Sequence, residues 1–183
     1  MKLATKRLIL RPFNIGDIEA VHNYASREAV TKFMAWGPNK NVAQTREFVE
    51  RVVLQNDNPA RLNHDFLVTL KDGTVIGACS LMFKDFNSAP TLGWVYCDDY
   101  WNQGYGTEAA KALLNYAFKT LNVKKVVATC HAENIGSRRI MEKIGLRFVK
   151  EEKANFPKLG DFIEHVYELT ALEYNLNNHK TFI

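Results

Sequence analysis

The chain has 183 residues, of which 46% are hydrophobic and 24% charged, and this length and composition predict one domain over residues 1–183. The formal charge is only +4, and the Lys and Arg residues are scattered rather than gathered in a block, which disfavours nucleic acid as a partner. No run approaches the roughly 20 apolar residues that span a bilayer, and Arg11 and Pro12 interrupt the short apolar run near the N-terminus. We therefore expect a cytoplasmic protein without a membrane partner.

The first third of the sequence predicts one strand and three helices. Apolar and charged residues alternate through Thr5–Phe13, which suits a strand with a buried face. Asp17 is predicted to cap the first helix, and the second is predicted over Arg27–Ala35. Apolar residues recur at helical spacing through Val42–Leu54, which predicts the third helix.

A hairpin and then a strand–helix–strand unit are predicted in the middle of the chain. The runs His64–Leu70 and Thr74–Phe83 flank a Lys-Asp-Gly turn, which is typical of a hairpin. Thr91–Cys97 is rich in β-branched and aromatic residues and predicts a strand, which Gly93 is expected to bend. Apolar residues at three- and four-residue spacings then predict a helix, and Val123–Cys130 predicts a buried strand after it.

The last quarter of the sequence predicts one helix and two strands. The helix begins at Asn134 and is stopped by Gly145. A strand begins at Phe148, a loop covers Asn155–Gly160, and Phe162–Leu169 alternates as the last strand. Together the elements predict a mixed α/β fold with a six- to seven-stranded sheet. That sheet is expected to be largely antiparallel, with one central parallel βαβ unit and helices on both faces.

Three cysteines, Cys79, Cys97 and Cys130, lie far apart in apolar, strand-like runs. Their odd number and wide separation disfavour a disulfide framework, and their spacing does not match a metal site. We therefore expect free, buried thiols and no metal.

Two glycines lie in the turn Gln103-Gly104-Tyr105-Gly106-Thr107, whose last residue begins the predicted helix. Unpaired backbone N–H groups and the positive end of the helix dipole point outward at such a turn, so it can hold a phosphate or pyrophosphate. One interpretation is the dinucleotide-binding fingerprint, which Gly104-x-Gly106-x-x-Ala109 satisfies, with Glu133 as the ribose-binding acid. A polar segment separates the strand from the glycines, however, and Glu133 lies farther on than the roughly 20 residues typical of that motif.

The same turn resembles motif A of the GNAT superfamily of acetyl-coenzyme A dependent N-acetyltransferases, whose pattern is Gln/Arg-x-x-Gly-x-Gly/Ala. The sequence departs from that pattern at Trp101, which stands where Gln or Arg is usual. Two further segments, Thr5–Pro12 and Glu133–Gly145, resemble the ribosomal-protein N-terminal (RimJ/RimL-type) acetyltransferase branch of the superfamily, in its order and spacing. The resemblance therefore covers nearly the whole chain.

The resemblance implies that acetyl-coenzyme A is the cosubstrate, held in a cleft where the strand Thr91–Cys97 splays from Val123–Cys130. It implies that the strand backbone binds the pantetheine arm, that the glycine turn binds the pyrophosphate, and that an asparagine side chain also contacts the arm. The implied cofactor-binding residues are Trp94, Tyr96, Gln103, Gly104, Tyr105, Gly106, Thr107 and Asn134.

Two catalytic residues are implied by the same resemblance. Ser137 takes the position from which family members protonate the leaving thiolate, and Glu164 lies in the last-strand region, where a carboxylate often acts as general base. Asn134 and Ser137 also suit the cap and first turn of a helix, so a structural role for both stays open. Other candidates for the base are His165, Asp98, Asp99 and Glu108.

The implied function is transfer of an acetyl group from acetyl-coenzyme A to a primary amine, either a protein N-terminus or a small amine, by direct attack in a ternary complex. Two alternatives stay open, a non-catalytic acyl-coenzyme A binding module and, last in rank, an NAD-dependent oxidoreductase. The resemblance also allows a homodimer. Acceptor choice is expected to lie in Ile18–Leu54 and Asn155–Gly160, where Phe33, Trp36 and Phe156 are either core or pocket residues.

Overall fold

The computed structural model describes residues 1–56, 58 and 60–179. In that part of the chain eight strands form one sheet, in the order β1-β2-β3-β4-β5-β6-β8-β7. The strands are β1 (Leu3–Ala4), β2 (Leu8–Arg11), β3 (Asn63–Leu70), β4 (Val75–Met82), β5 (Thr91–Tyr96), β6 (Lys125–His131), β7 (Arg147–Phe156) and β8 (Gly160–Thr170).

Six α-helices accompany the sheet in the described residues. They are α1 (Ile18–Ala25), α2 (Glu28–Thr31), α3 (Val42–Gln55), α4 (Tyr105–Asn115), α5 (Ile135–Lys143) and α6 (Ala171–His179). None of them is both long enough and apolar enough to cross a membrane.

The mixed, largely antiparallel sheet is confirmed, because every pair is antiparallel except β5 with β6. The helix α4 connects that parallel pair, as predicted for the βαβ unit. The count of six to seven strands was too low by at least one, because the predicted strand Thr5–Phe13 corresponds to β2 alone and the additional strand β1 precedes it. The hydroxyl of Thr5 accepts the Leu8 N–H at 2.9 Å, and the turn sends β1 back to pair with β2.

Two hydrophobic cores lie on opposite faces of the sheet, as expected for helices on both faces. Alternation along β3 sends Phe66 and Val68 to the face covered by α4 and α5, and Leu67 to the face covered by α1 and α3. Cys79 and Cys130 belong to the first core and Cys97 to the second, and all three are free thiols, as predicted.

Several predicted boundaries differ from the structure. Helix α2 ends at Thr31 instead of Ala35, and α4 begins at Tyr105, two residues before the predicted start. Asp17 stands at the cap position of α1 without capping it, because its carboxylate pairs with the Arg11 guanidinium at 2.7 Å and accepts the Asn14 N–H at 2.8 Å.

Candidate active site

A gap opens in the sheet between its two parallel strands. β5 pairs with β6 only through Thr91 with Val127 and Leu92 with Ala128. Beyond Leu92, β5 stays paired with β4 through to Tyr96, and β6 stays paired with β8. The register of Gly93 with β4 is unbroken, so the irregularity predicted at Gly93 is not seen in that pairing. The β5 backbone groups that face the gap are thus left for another hydrogen-bonding chain.

The glycine turn forms the N-terminus of α4 beside this gap. Gly104 has a φ of 81°, in the left-handed region that favours glycine. The first hydrogen bond of the helix joins the Glu108 N–H to the Gly104 carbonyl at 3.0 Å. The N–H groups of Tyr105, Gly106 and Thr107 therefore precede the helical ladder, at the positive end of the dipole. This geometry fits a pyrophosphate.

Gly106 has a second role that the sequence did not reveal. A Cβ atom at this position would lie 2.7 Å from Cδ1 of Ile140 on α5 and 3.1 Å from the Tyr96 ring on β5. The absence of a side chain at Gly106 therefore lets α4 approach both neighbouring elements closely.

Tyr96 and Trp94 lie on the same face of β5, the face that α4 covers. The Tyr96 ring occupies the room that side chains at Gly77 and Gly106 would need, so it is a core residue. Its hydroxyl is buried and has no hydrogen-bond partner among the described residues, and burial raises the pKa of this phenol well above its usual value.

Trp101, the departure from motif A, anchors the turn to the strand. Its indole N–H donates to the Tyr96 carbonyl at 2.8 Å. The Gln103 side chain likewise donates to the Asp99 carbonyl at 3.0 Å, so it stabilises the loop and leaves only its backbone for a ligand. Trp101, which stands where motif A has Gln or Arg, therefore holds the turn in place through its indole hydrogen bond.

Arg7 lies at the glycine turn and was missed by the sequence analysis. Its guanidinium contacts Glu108 at 2.6 Å, donates to the Gln103 carbonyl at 3.0 Å and lies 4.3 Å from the centroid of the Tyr105 ring. This places a positive charge beside the N-terminus of α4. The signal available in the sequence was the resemblance of Thr5–Pro12, which contains Arg7, to the acetyltransferase branch.

Glu108 is a structural carboxylate and not a base. Partial burial favours a higher pKa, but hydrogen bonds from Thr5 and Arg7 outweigh it and hold the pKa of Glu108 below its ordinary value. Asp98 and Asp99 are engaged in the same way, because the Arg27 guanidinium contacts them at 2.6 and 2.9 Å. These three candidates for the base are therefore committed to ion pairs.

Asn134 caps α5, which confirms the structural role that the sequence left open. Its side-chain oxygen accepts the Ser137 N–H at 3.1 Å. Within the described residues no hydrogen bond occupies the Asn134 amide nitrogen or the Ser137 hydroxyl, so both remain available as donors. Ser137 lies one turn before Ile140 on α5, and Ile140 reaches Gly106, so Ser137 faces the N-terminus of α4.

Glu164 and His165 project from opposite faces of β8. The register sets Glu164 opposite His131 and His165 opposite Cys130. His165 lies on the α5 face, where its Nε2 contacts Glu151 at 3.1 Å while its Nδ1 is buried without a partner among the described residues. Glu164 is half-buried on the α1–α3 face, and no hydrogen bond or ion pair within the described chain reaches its carboxylate. The structure thus separates Glu164 from Ser137 by the thickness of the sheet.

Three features occur together in this structure: a gap in the sheet, a glycine turn at a helix N-terminus and an asparagine-capped helix beside them. This combination defines a class of acyl-coenzyme A binding folds. Residues 7–147 match the family described as "Acetyltransferase (GNAT) domain", and the chain belongs to this family. It is an acetyl-coenzyme A dependent N-acetyltransferase. The resemblance inferred from the motifs is therefore confirmed, and the dinucleotide interpretation of the glycine turn is set aside.

The most informative relatives come from Bacillus. "Uncharacterized N-acetyltransferase YnaD" of Bacillus subtilis (strain 168) is 35% identical over 177 residues, which cover 96% of this chain and 100% of the relative. The crystal structure of a GNAT-family acetyltransferase from Bacillus anthracis is similar with a TM-score of 0.82 at 33% identity, over 94% of this chain and 99% of that one. The ribosomal-protein acetyltransferase RimL, solved with coenzyme A, shares the fold with a TM-score of 0.82 at 16% identity, over 93% of this chain and 98% of that one.

Proposed function

We propose that the chain acetylates a primary amine by direct attack in a ternary complex, with acetyl-coenzyme A in the gap between β5 and β6. The observation that supports this best is the gap itself, which opens where the pairing of β5 with β6 ends after only two residue pairs and adjoins the N-terminus of α4. On the α5 face the gap adjoins Ser137, and on the α1–α3 face it adjoins the end of β6, where Glu164 lies. Donor and acceptor then approach from opposite faces of the sheet.

Different residues bind different parts of acetyl-coenzyme A. Backbone N–H groups of Tyr105, Gly106 and Thr107 hold the pyrophosphate, and Arg7 adds positive charge at the same place. The exposed backbone edge of β5 and the Asn134 amide bind the pantetheine arm. Both reactants are thereby held in one orientation, which removes most of the entropic cost of bringing them together.

The bound thioester supplies an activated acyl carbon. Glu164 takes a proton from the ammonium so that the amine nitrogen has a lone pair, and the nitrogen then attacks the thioester carbon. As the carbon–sulfur bond breaks, Ser137 gives its proton to the sulfur, and the proton that the nitrogen loses on forming the amide replaces it on Ser137. The half-buried carboxylate of Glu164 has no competing cation, so it remains available to the amine. No side chain has to carry the acyl group.

The first experiment is thermal unfolding with acetyl-coenzyme A, coenzyme A and NAD, together with an assay for thiol release over a panel of amines. A ligand at 100 times its dissociation constant stabilises a fold by about 2.7 kcal/mol, so binding is easily seen. Gly104→Asn and Gly104→Asp form a matched pair, because both tolerate the left-handed backbone while only Asp adds a charge that repels pyrophosphate. We expect Asn to retain the stabilisation and Asp to lose it. No shift with either coenzyme in the wild-type protein would refute the proposal.

A further inference from the structure

Four aromatic rings form a row on the α1–α3 face at the end of β6. The His131 ring lies 5.0 Å from the Phe33 ring and stacks on the Phe162 ring, with centroids 5.0 Å apart and planes 8° apart. Phe156 continues the row, with its centroid 5.3 Å from that of Phe162. All four rings are only half-buried. The row therefore presents an apolar, aromatic wall beside the gap in the sheet.

One charge lies next to this wall without a partner. Glu164 is two residues from Phe162 on the same face of β8 and directly opposite His131 on β6. Its other neighbour across the strands, Glu152 on β7, is paired with Lys150. Glu164 has no such cation among the described residues. A half-buried carboxylate in this position favours a positively charged ligand.

No ion pair joins His131 to Glu164 among the described residues. The His131 Nδ1 accepts the Glu133 N–H at 3.1 Å, and its ring lies against the Phe33 and Phe162 rings. The Lys32 ammonium lies 4.9 Å from the centroid of the Phe33 ring, at the other end of the row from Phe156. Glu164 therefore stays an unpaired carboxylate beside the wall.

The hairpin between β7 and β8 closes the other side of this region. The Lys158 ammonium, at the tip of the hairpin, donates to the carbonyl oxygens of Thr31, Met34 and Trp36. These carbonyls belong to the segment that carries Phe33. The tip is thus fastened to the segment that carries Phe33, at one end of the aromatic row.

We propose that the acceptor is a small apolar amine with a single positive charge, such as an aryl- or alkylamine, whose ammonium contacts Glu164 while its hydrocarbon body lies along Phe33 and Phe162. This proposal rests on the proposed acetyltransferase function and names its substrate class. A carboxylate next to the amine is repelled by Glu164, and the neighbouring carboxylate across the strands, that of Glu152, is already paired with Lys150 and so does not favour a second ammonium.

The test compares acceptors that differ in one property. Phenethylamine and phenylalanine differ only by a carboxylate, spermidine carries additional charges, and a short peptide supplies a protein-like N-terminus. We expect kcat/KM for phenethylamine to exceed that for each of the others by about tenfold or more. Each of the others disturbs one charge contact at Glu164, and a tenfold factor corresponds to about 1.4 kcal/mol. Higher activity on spermidine or on the peptide would overturn the proposal and leave the acetyltransferase function intact.

Binding gives a readout that does not depend on turnover. Calorimetry of phenethylamine with the protein saturated with coenzyme A should show a single site, and Phe162→Leu and Glu164→Gln should each weaken binding about five- to tenfold. Phe148→Leu is the matched control, because Phe148 lies on the other face of the sheet against His165. Equal effects of Phe148→Leu and Phe162→Leu would contradict the proposed pocket. If acetyl-coenzyme A itself fails to bind, the proposed acetyltransferase function is refuted. Failure of the acceptor proposal alone leaves acetyl-coenzyme A binding intact, so the two outcomes can be told apart.

Discussion

The Nε atom of Arg7 lies 2.6 Å from Oε2 of Glu108, so an ion pair joins the start of the chain to the first turn of α4. Glu108 also accepts the Arg7 backbone N–H at 2.8 Å and the Thr5 hydroxyl at 2.6 Å. The guanidinium in turn donates to the Gln103 carbonyl. This pair holds the glycine turn from outside, so the binding geometry of the turn depends on contacts between residues that lie far apart in the sequence.

Glu108→Gln should weaken acetyl-coenzyme A binding about three- to tenfold and lower stability by about 1–2 kcal/mol, because charge-assisted hydrogen bonds become neutral ones. The folded state holds the pKa of Glu108 below its ordinary value of 4.5. Its contribution to stability is therefore present above that value and is lost as the pH falls through the lower, folded pKa. Thermal unfolding at pH 7 and pH 3.5 should show that the difference in stability between wild type and variant is smaller at the lower pH. Glu133→Gln, at an exposed site, is the control. A stability difference between wild type and Glu108→Gln that does not change with pH would contradict the expectation.

Gly106→Ala should lower the free energy of unfolding by about 1–3 kcal/mol, because the added Cβ would lie 2.7 Å from Cδ1 of Ile140. Ile140→Val removes that carbon, so the double variant should recover part of the loss. The control is Gly136→Ala on α5, where a Cβ would meet only the Asn134 side chain at 3.7 Å. Urea denaturation compares the wild type with the three single variants and the double variant. Equal effects at Gly106 and Gly136 would show that helix propensity and not packing decides the outcome.

Asp65→Asn should stabilise the protein at alkaline pH. Burial raises the pKa of Asp65 from 3.8 to about 6, although Arg51 and Arg61 oppose the shift. The folded state therefore binds a proton that the unfolded state has released between these two pH values, and wild-type stability falls as the pH rises through them. We expect the variant to be more stable by about 2 kcal/mol at pH 8 and equal at pH 3. Urea denaturation at both values checks this.

A second aspartate provides the opposite case for the same measurement. Hydrogen bonds from Thr74 lower the pKa of Asp72, which is fully exposed. Asp72→Asn should therefore reduce stability at pH 8 and lose that effect at low pH. If both aspartate variants shift stability in the same direction, burial is not the cause at Asp65.

Glu164→Gln should reduce kcat/KM by about 10² to 10⁴ while leaving acetyl-coenzyme A binding unchanged, as loss of a general base requires. Residual activity should rise with pH, because more of the amine is then already neutral. His165→Gln is the control at the neighbouring position, since His165 faces the other side of the sheet and pairs with Glu151. Steady-state kinetics from pH 6 to pH 9 compare the two variants. A larger loss of kcat/KM in His165→Gln than in Glu164→Gln would indicate that His165 is the general base.

Most elements were predictable because they depend on periodicity within a few residues of the chain. The hairpin of β3 and β4, the βαβ unit and α5 follow from local alternation, helical spacing and capping residues. The additional strand β1 was missed for the opposite reason. The turn at Thr5–Arg7 that separates β1 from β2 is held by Glu108, about a hundred residues away, and no local pattern shows such a contact.

The candidate site shows the same division. The glycine turn and the pair Asn134 and Ser137 could be proposed from the sequence because each belongs to a short contiguous motif. The aromatic row was not found as a unit, because Phe33, His131 and Phe162 come from three separate elements and meet only in the folded chain. The choice among base candidates needed structure too, since the ion pairs of Asp98 and Asp99 with Arg27 join distant segments.

The early parting of β5 from β6 has a mechanical consequence. The first five strands and the last three are joined within the sheet by only two residue pairs, so the sheet is hinged at its middle. A cosubstrate whose amides pair with the open edge would act as a missing ninth strand and stiffen the hinge. Amide hydrogen exchange along β5 should therefore slow when coenzyme A binds, even far from the reacting thioester.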